Sequence, residues 1–216
     1  MHSLATILLT LSALATLVPA AASAASYRVD AAASDIHWRV YRSGALANLG
    51  HNHVISATQF QGSVELAKPP QKSRFLLEIP AAALRVDDPR LRHHYGREFA
   101  ESIPADAVSA TRANMLGPKL LNAGNFPIIR LRGEALVDNP PKKGNLTFAT
   151  TMDIAGRRLR ILLPARIVIA EDSIRATGQF TLSHQQLGLQ PFSAALGTLK
   201  VSPQIDFSFS IVARRR

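Results

Sequence analysis

The sequence predicts an all-β fold: an antiparallel meander that curls into a barrel, with a short helical insertion. Three observations carry this. Segments along most of the chain alternate apolar and polar residues with a period of two, the mark of strands with one face buried. Short clusters rich in Pro, Gly, Asp and Asn separate them, too short for crossover helices, so neighbours run antiparallel. One central stretch instead repeats at helical spacing.

The first element is not a strand. Leu4 to Val18 is an apolar run, and Ala20 to Ala25 follows with small residues, including the Ala-x-Ala pattern Ala22-Ser23-Ala24. That order is the order of a secretory signal peptide, so residues 1–25 are expected to be removed and 26–216 to form one domain. The apolar run falls short of the roughly 20 residues that span a bilayer. The alternating runs then follow in order. Ile36, Trp38 and Val40 alternate with His37, Arg39 and Tyr41, and Phe60, Gly62, Val64 and Leu66 alternate with Gln61, Ser63 and Glu65. Phe75, Leu77 and Ile79 follow beyond a break at Lys68-Pro69-Pro70. Asp88-Pro89 offers a helix cap and first turn, with Leu91, Tyr95 and Phe99 at helical spacing. Ser102-x-Pro104 starts a second helix through Val108, Thr111 and Met115, stopped by Gly117-Pro118. Asp138 to Gly144 reads as a turn, Ala155-Gly156 as a tight hairpin between Leu146–Ile154 and Arg158–Ile169, and Glu171-Asp172-Ser173 as a further turn. Ile205, Phe207, Phe209 and Ile211 give the cleanest alternation in the chain.

Composition excludes several functions. The chain has no cysteine, so it carries neither disulfides nor thiolate chemistry. Its net charge is +10 and residues 1–25 contain no Asp, Glu, Lys or Arg, so cleavage leaves the charge unchanged. Nucleic acid is an unsuitable partner for an exported chain with so little aromatic surface for base stacking. The simplest reading of the charge is a solvated basic surface. An anionic membrane surface is a second expectation, with Arg157-Arg158-x-Arg160 as its candidate. No Gly-x-Ser-x-Gly elbow or other catalytic constellation is present, and no cofactor is implied.

Several segments, in order, resemble the YceI-like family of polyisoprenoid-binding proteins. They are Tyr27-Arg28-Val29-Asp30 with Ser34-x-Ile36-x-Trp38, Gly50 with Phe60-x-Gly62, and Leu121-Asn122-Ala123-Gly124-Asn125-Phe126-Pro127-Ile128-Ile129. Leu146-Thr147 through Ile154-Ala155-Gly156 and Phe180-x-Leu182 with Leu187-Gly188-Leu189 and Pro191-Phe192-Ser193 complete the match. The resemblance runs from about Tyr27 to about Val212. It implies a lipocalin-like eight-stranded barrel, an extended cavity for an isoprenoid chain such as a quinone tail, and a periplasmic or secreted location.

The expected function is therefore binding rather than catalysis. An isoprenoid lipid or quinone is the expected partner, and the oligomeric state is open, a homodimer included. Periodicity nominates Phe60, Phe75, Leu77, Phe99, Met115, Phe126 and Phe180 for the lining. Gly50-His51-Asn52-His53-Val54 departs from the commoner family pattern. On a strand, His51 and His53 face one side. They are packed or solvated histidines at a strand end, a polar point for a lipid head group, or two ligands of a metal site in a metalloenzyme. The last needs a further ligand, with His93, His94 and His184 as candidates. A third alternative is a barrel filled by its own side chains, acting in envelope stress through protein contacts.

Overall fold

The computed structural model describes residues 24–136, 144–194, 196 and 198–216. All but the end of the expected leader, and all but Gly144 of the turn at Asp138–Gly144, lie outside the described residues. Eight antiparallel strands close into a barrel: β1 (Ala25–Val29), β4 (Gln61–Leu66), β5 (Arg74–Pro80), β7 (Ile128–Ala135), β8 (Asn145–Ile154), β9 (Arg157–Ile169), β10 (Ser173–Ser183) and β12 (Leu199–Arg215). The ring closes where β1 pairs with the end of β12, Tyr27 opposite Arg215 and Val29 opposite Ala213. The rest of that edge of β12 pairs with β2 (Asp35–Ser43), from Lys200↔Ser43 to Ser210↔Asp35. β1 and β2 thus run along one edge as a single strand broken at residues 31–33. From β2 the sheet continues outward through β3 (His53–Ala57) to β6 (Leu84–Val86). A two-residue strand, β11 (Ser193–Ala194), lies against the start of β12.

The period-two runs become the barrel wall. Ile36, Trp38 and Val40 face inward on β2, while His37 and Arg39 face out. Ile205, Phe207, Phe209 and Ile211 do the same on β12. Register then stacks the aromatic positions of three strands. Phe180 stands opposite Phe207, and Phe207 opposite Trp38. The Phe180 and Phe207 rings are nearly parallel with centroids 5.0 Å apart, and the Trp38 ring lies 5.9 Å beyond. On another part of the wall Phe75 meets Phe148 edge-on at 5.3 Å.

The expected hairpin between β8 and β9 turns on two residues with left-handed backbone, Ala155 (φ 49°) and Gly156 (φ 76°). Such turns match the right-handed twist of the strands they join. A Cβ on Gly156 would lie 2.4 Å from Cζ of Phe126, whose ring covers the turn. Gly156→Ala should therefore cost about 1–2 kcal/mol in backbone strain alone, and more once the ring is displaced. Urea unfolding measures it, and a loss under about 0.5 kcal/mol would contradict the packing described.

The helical insertion lies between β6 and β7. Asp88 caps α1 (Pro89–Arg92) by accepting from the Arg90 amide at 2.9 Å. A 3-10 segment, His93–Phe99, continues from it, so Leu91, Tyr95 and Phe99 do not share one regular helix. The backbone kinks at Tyr95 and Gly96, where Gly96 takes φ 67°. α2 (Ala105–Leu116) follows, tied to the β6 region by Arg112, which donates to the carbonyls of Leu84 and Ala82. Gly117 ends it, as the sequence indicates.

Candidate binding cavity

The barrel is hollow. Its interior holds a cavity of about 860 Å³, walled by inward residues of β1, β2, β3, β4, β5, β7, β8, β9, β10 and β12 and by α2. This differs from the filled-barrel alternative, since the inward side chains line an open space. The lining is overwhelmingly aliphatic and aromatic. One end is shut by the buried cluster of Tyr27, Ile174 and Ala213, packed on Val29, Val64 and Leu66. At the opposite end the wall reaches solvent. Exposed lining residues there include Arg42, Asn114, Lys119, Gln190, Phe192 and Lys200. No Asp or Glu lines the cavity among the described residues.

Four of the nominated lining residues stand on this wall: Phe75 and Leu77 on β5, Met115 on α2 and Phe180 on β10. Three do not. Phe60 lies in the turn before β4 and is buried in packing outside the cavity. Phe99 is buried outside the wall against the rings of Tyr41 and Tyr95, with the Arg92 guanidinium 5.6 Å from its ring. Phe126 is partly exposed over the hairpin at Gly156. Periodicity nominated these three, but Phe60 and Phe126 lie just before their strands and Phe99 lies past the kink at Gly96, where the period no longer fixes a face.

His51 and His53 both line the open end, their ring centroids 6.3 Å apart. His53 Nδ1 bonds Asp87 Oδ2 at 2.6 Å. With that nitrogen donating, the neutral ring presents Nε2 as an acceptor. Asp87 stands between this histidine and the helical insertion. It takes φ 56°, a left-handed conformation Asp tolerates. Its carboxylate also accepts from the Val54 amide at 3.0 Å and from Arg92 Nη1 at 2.6 Å. Burial pushes the Asp87 carboxyl up, but the His53 contact, the Val54 amide and the Arg92 guanidinium outweigh it and hold it below its ordinary value. Arg92 in turn donates to the Asn52 and Glu101 carbonyls. The histidine loop is thereby clamped to the helical insertion. His51 Nδ1 is buried and has no hydrogen-bond partner among the described residues. The Glu101 carboxylate lies 3.6 Å away.

Two of the three candidate third metal ligands are engaged elsewhere. His94 Nδ1 bonds the Arg90 carbonyl, and His184 Nδ1 bonds the Pro203 carbonyl. Burial holds His184 below its ordinary pKa, favouring the neutral ring. Among the described residues no three His, Cys, Asp or Glu side chains group as a metal site. A different histidine is built into the outer wall: His37 is buried between Asp35, 2.5 Å from Nδ1, and the Tyr95 hydroxyl at Nε2. It ties the 3-10 segment to β2. Beside it, burial and the Asp206 hydrogen bond push the Tyr41 hydroxyl up to about 12. In the Arg157-Arg158-x-Arg160 run, Arg158 pairs with Asp153 at 2.7 Å and Arg157 packs against Gly188.

A hollow barrel with one apolar lumen has known relatives. The model of the YceI-like domain matches residues 27–213. The chain belongs to the YceI-like family. Solved structures share its fold at low identity. BcnA of Burkholderia cenocepacia is 10% identical with a TM-score of 0.59, over 85% of this chain and 98% of its own. A polyisoprenoid binding domain from Saccharophagus degradans, implicated in plant cell wall breakdown, is 12% identical with a TM-score of 0.58, over 89% and 99%. The YCEI protein of Campylobacter jejuni is 10% identical with a TM-score of 0.52, over 75% and 84%. A comparison with curated proteins finds no match. Against this YceI-like frame the polar end with His51, His53 and Asp87 is what most sets the cavity apart from a plain apolar tube.

Proposed function

We propose that this chain is an exported carrier that holds the tail of an isoprenoid lipid, a polyisoprenoid or a quinone, inside its barrel, and that it is a binding protein rather than an enzyme. The observation that carries the reading is the apolar cavity of about 860 Å³ inside the barrel, with His51, His53 and charged side chains at its open end. Ligand pockets run from about 300 to 1,000 Å³ and combine apolar walls with a few oriented polar groups. A solved relative of the same fold is a polyisoprenoid binding domain. Burying an isoprenoid tail stabilises the complex by roughly 25 cal/mol per Å² of apolar area. His51 and His53 are the residues we assign to the head group, since one ring has an unpartnered buried nitrogen and the other is held in orientation by Asp87. A periplasmic or secreted location follows from the leader read in residues 1–25, and the first strand begins at Ala25, where that leader ends.

Protein purified from its native envelope should yield an isoprenoid lipid on solvent extraction and mass spectrometry. Added isoprenoid quinone should also quench Trp38, the sole tryptophan, which stands on the cavity wall. Empty extracts together with no quenching would overturn the carrier reading.

A further inference from the structure

The open end of the cavity carries an exposed apolar rim. Two loops lie side by side there, residues 44–52 after β2 and the described residues 184–194, 196 and 198 before β12, joined where the Leu46 amide donates to the Thr198 carbonyl at 2.9 Å. Each presents large apolar side chains to solvent. Leu49 is 65% exposed and Phe192 51%, Leu196 is wholly exposed, and Leu46 lies at their edge. They sit close together: β11 holds residues 193 and 194 against β12, the Val201 amide bonds the Phe192 carbonyl, and Gly50 abuts the Leu199 side chain. A solvated surface gains nothing from four such residues on adjoining loops.

Charge around the rim has one dominant sign. The sequence has no Asp or Glu from Ile36 to Val64, nor from Ser173 to Ile205, the two stretches that contain the rim loops. Arg42 and Lys200 flank the rim from these stretches, and Lys119 faces it from the connection after α2. Glu101 reaches the same end, beside His51. At the closed end the exposed pair Val168 and Ile169 instead runs into Glu171 and Asp172.

We propose that this rim is a docking surface for an anionic lipid bilayer, which seats the open end of the cavity on the membrane. The inference rests on the carrier reading above. Exposed leucine and phenylalanine flanked by cations is the chemistry of reversible interfacial binding, in which apolar side chains enter the headgroup boundary and cations meet acidic lipids. The rim and the cavity mouth coincide, so a docked molecule passes a lipid between bilayer and lumen without exposing the tail to water.

The test uses the full mature protein and sedimentation with vesicles of phosphatidylethanolamine and phosphatidylglycerol, or of phosphatidylcholine alone. Docking is expected on the anionic vesicles, weakening as salt rises and much weaker on phosphatidylcholine. The double variant Leu49→Ser with Leu196→Ser, which leaves the cavity wall untouched, should weaken vesicle partition about tenfold or more. Leu162→Ser, exposed in the middle of β9, should leave it unchanged. Quenching of Trp38 by isoprenoid quinone in dilute detergent is measured on every variant and should be equal in all. Lost quenching with intact docking overturns the carrier reading and leaves the rim standing. The rim proposal is overturned if the wild-type protein ignores anionic vesicles or the double variant binds them as well. It is equally overturned if light scattering finds a dimer that the double variant dissolves, since a second copy then covers the rim.

Discussion

Asp87→Ala is expected to lower the unfolding free energy by about 3–5 kcal/mol. The side chains of Asp87 and Arg92 are only 1% and 7% exposed. Removing the carboxylate leaves a buried guanidinium without its counter-charge, frees the Val54 amide, and takes from His53 the group that orients it. Asp87→Asn keeps acceptor and shape but loses the charge, so it should fall between the wild type and Asp87→Ala. The pH dependence has a definite sign. The folded pKa of Asp87 lies below the ordinary carboxyl value. Its contribution is therefore complete above that value and is lost as pH falls through the lowered folded pKa. Wild type and Asp87→Ala should differ most at neutral pH and converge in acid. Urea titrations across that range measure both effects, and a neutral-pH loss below about 1 kcal/mol would show that the clamp is not held by this ion pair.

Ala176→Phe is expected to weaken isoprenoid quinone binding at least about tenfold while leaving the fold intact. Ala176 is a small residue on the cavity wall, opposite Ile211 on β12 and Ile167 on β9, both of which also face the lumen. A ring there projects into the cavity and competes with the ligand for the same space. Excluding about 55 Å² of tail from burial removes about 1.4 kcal/mol, which is about tenfold in affinity. The substitution keeps Trp38 as the sole reporter. Unchanged quinone affinity with unchanged thermal stability would mean that the tail does not occupy the lumen at this level.

Much of the barrel was legible because its strands obey simple alternation. Ile205, Phe207, Phe209 and Ile211 read correctly because β12 is a long wall strand with one face on the lumen. Ala155-Gly156 read correctly because a two-residue turn needs left-handed backbone, which glycine supplies. Asp88-Pro89 likewise marked a helix start by local capping chemistry. What failed was non-local. Phe60 precedes β4, Phe126 precedes β7 and Phe99 lies past the kink at Gly96, so the local periods that nominated them stop short of them. The division of β12's edge between β1 and β2 is also invisible locally, since it depends on pairing across nearly the whole chain. So is the clamp: Asp87 is 33 positions from Val54 and is fixed by a backbone conformation that its neighbours do not announce. The paired histidines were visible as a pair, but their orientation was not.

The seam between β1 and β12 has a consequence for the order of assembly. These strands hold residues 25–29 and 199–215, and the barrel closes only when they meet. A growing or refolding chain therefore passes through an open, curling sheet whose edges stay unpaired until its last segment arrives. Contacts between such distant residues form slowly, and an unpaired edge invites strand exchange with other molecules. The step that closes the wall around the lumen thus waits for β12, and refolding yield should hinge on β12 more than on any other strand.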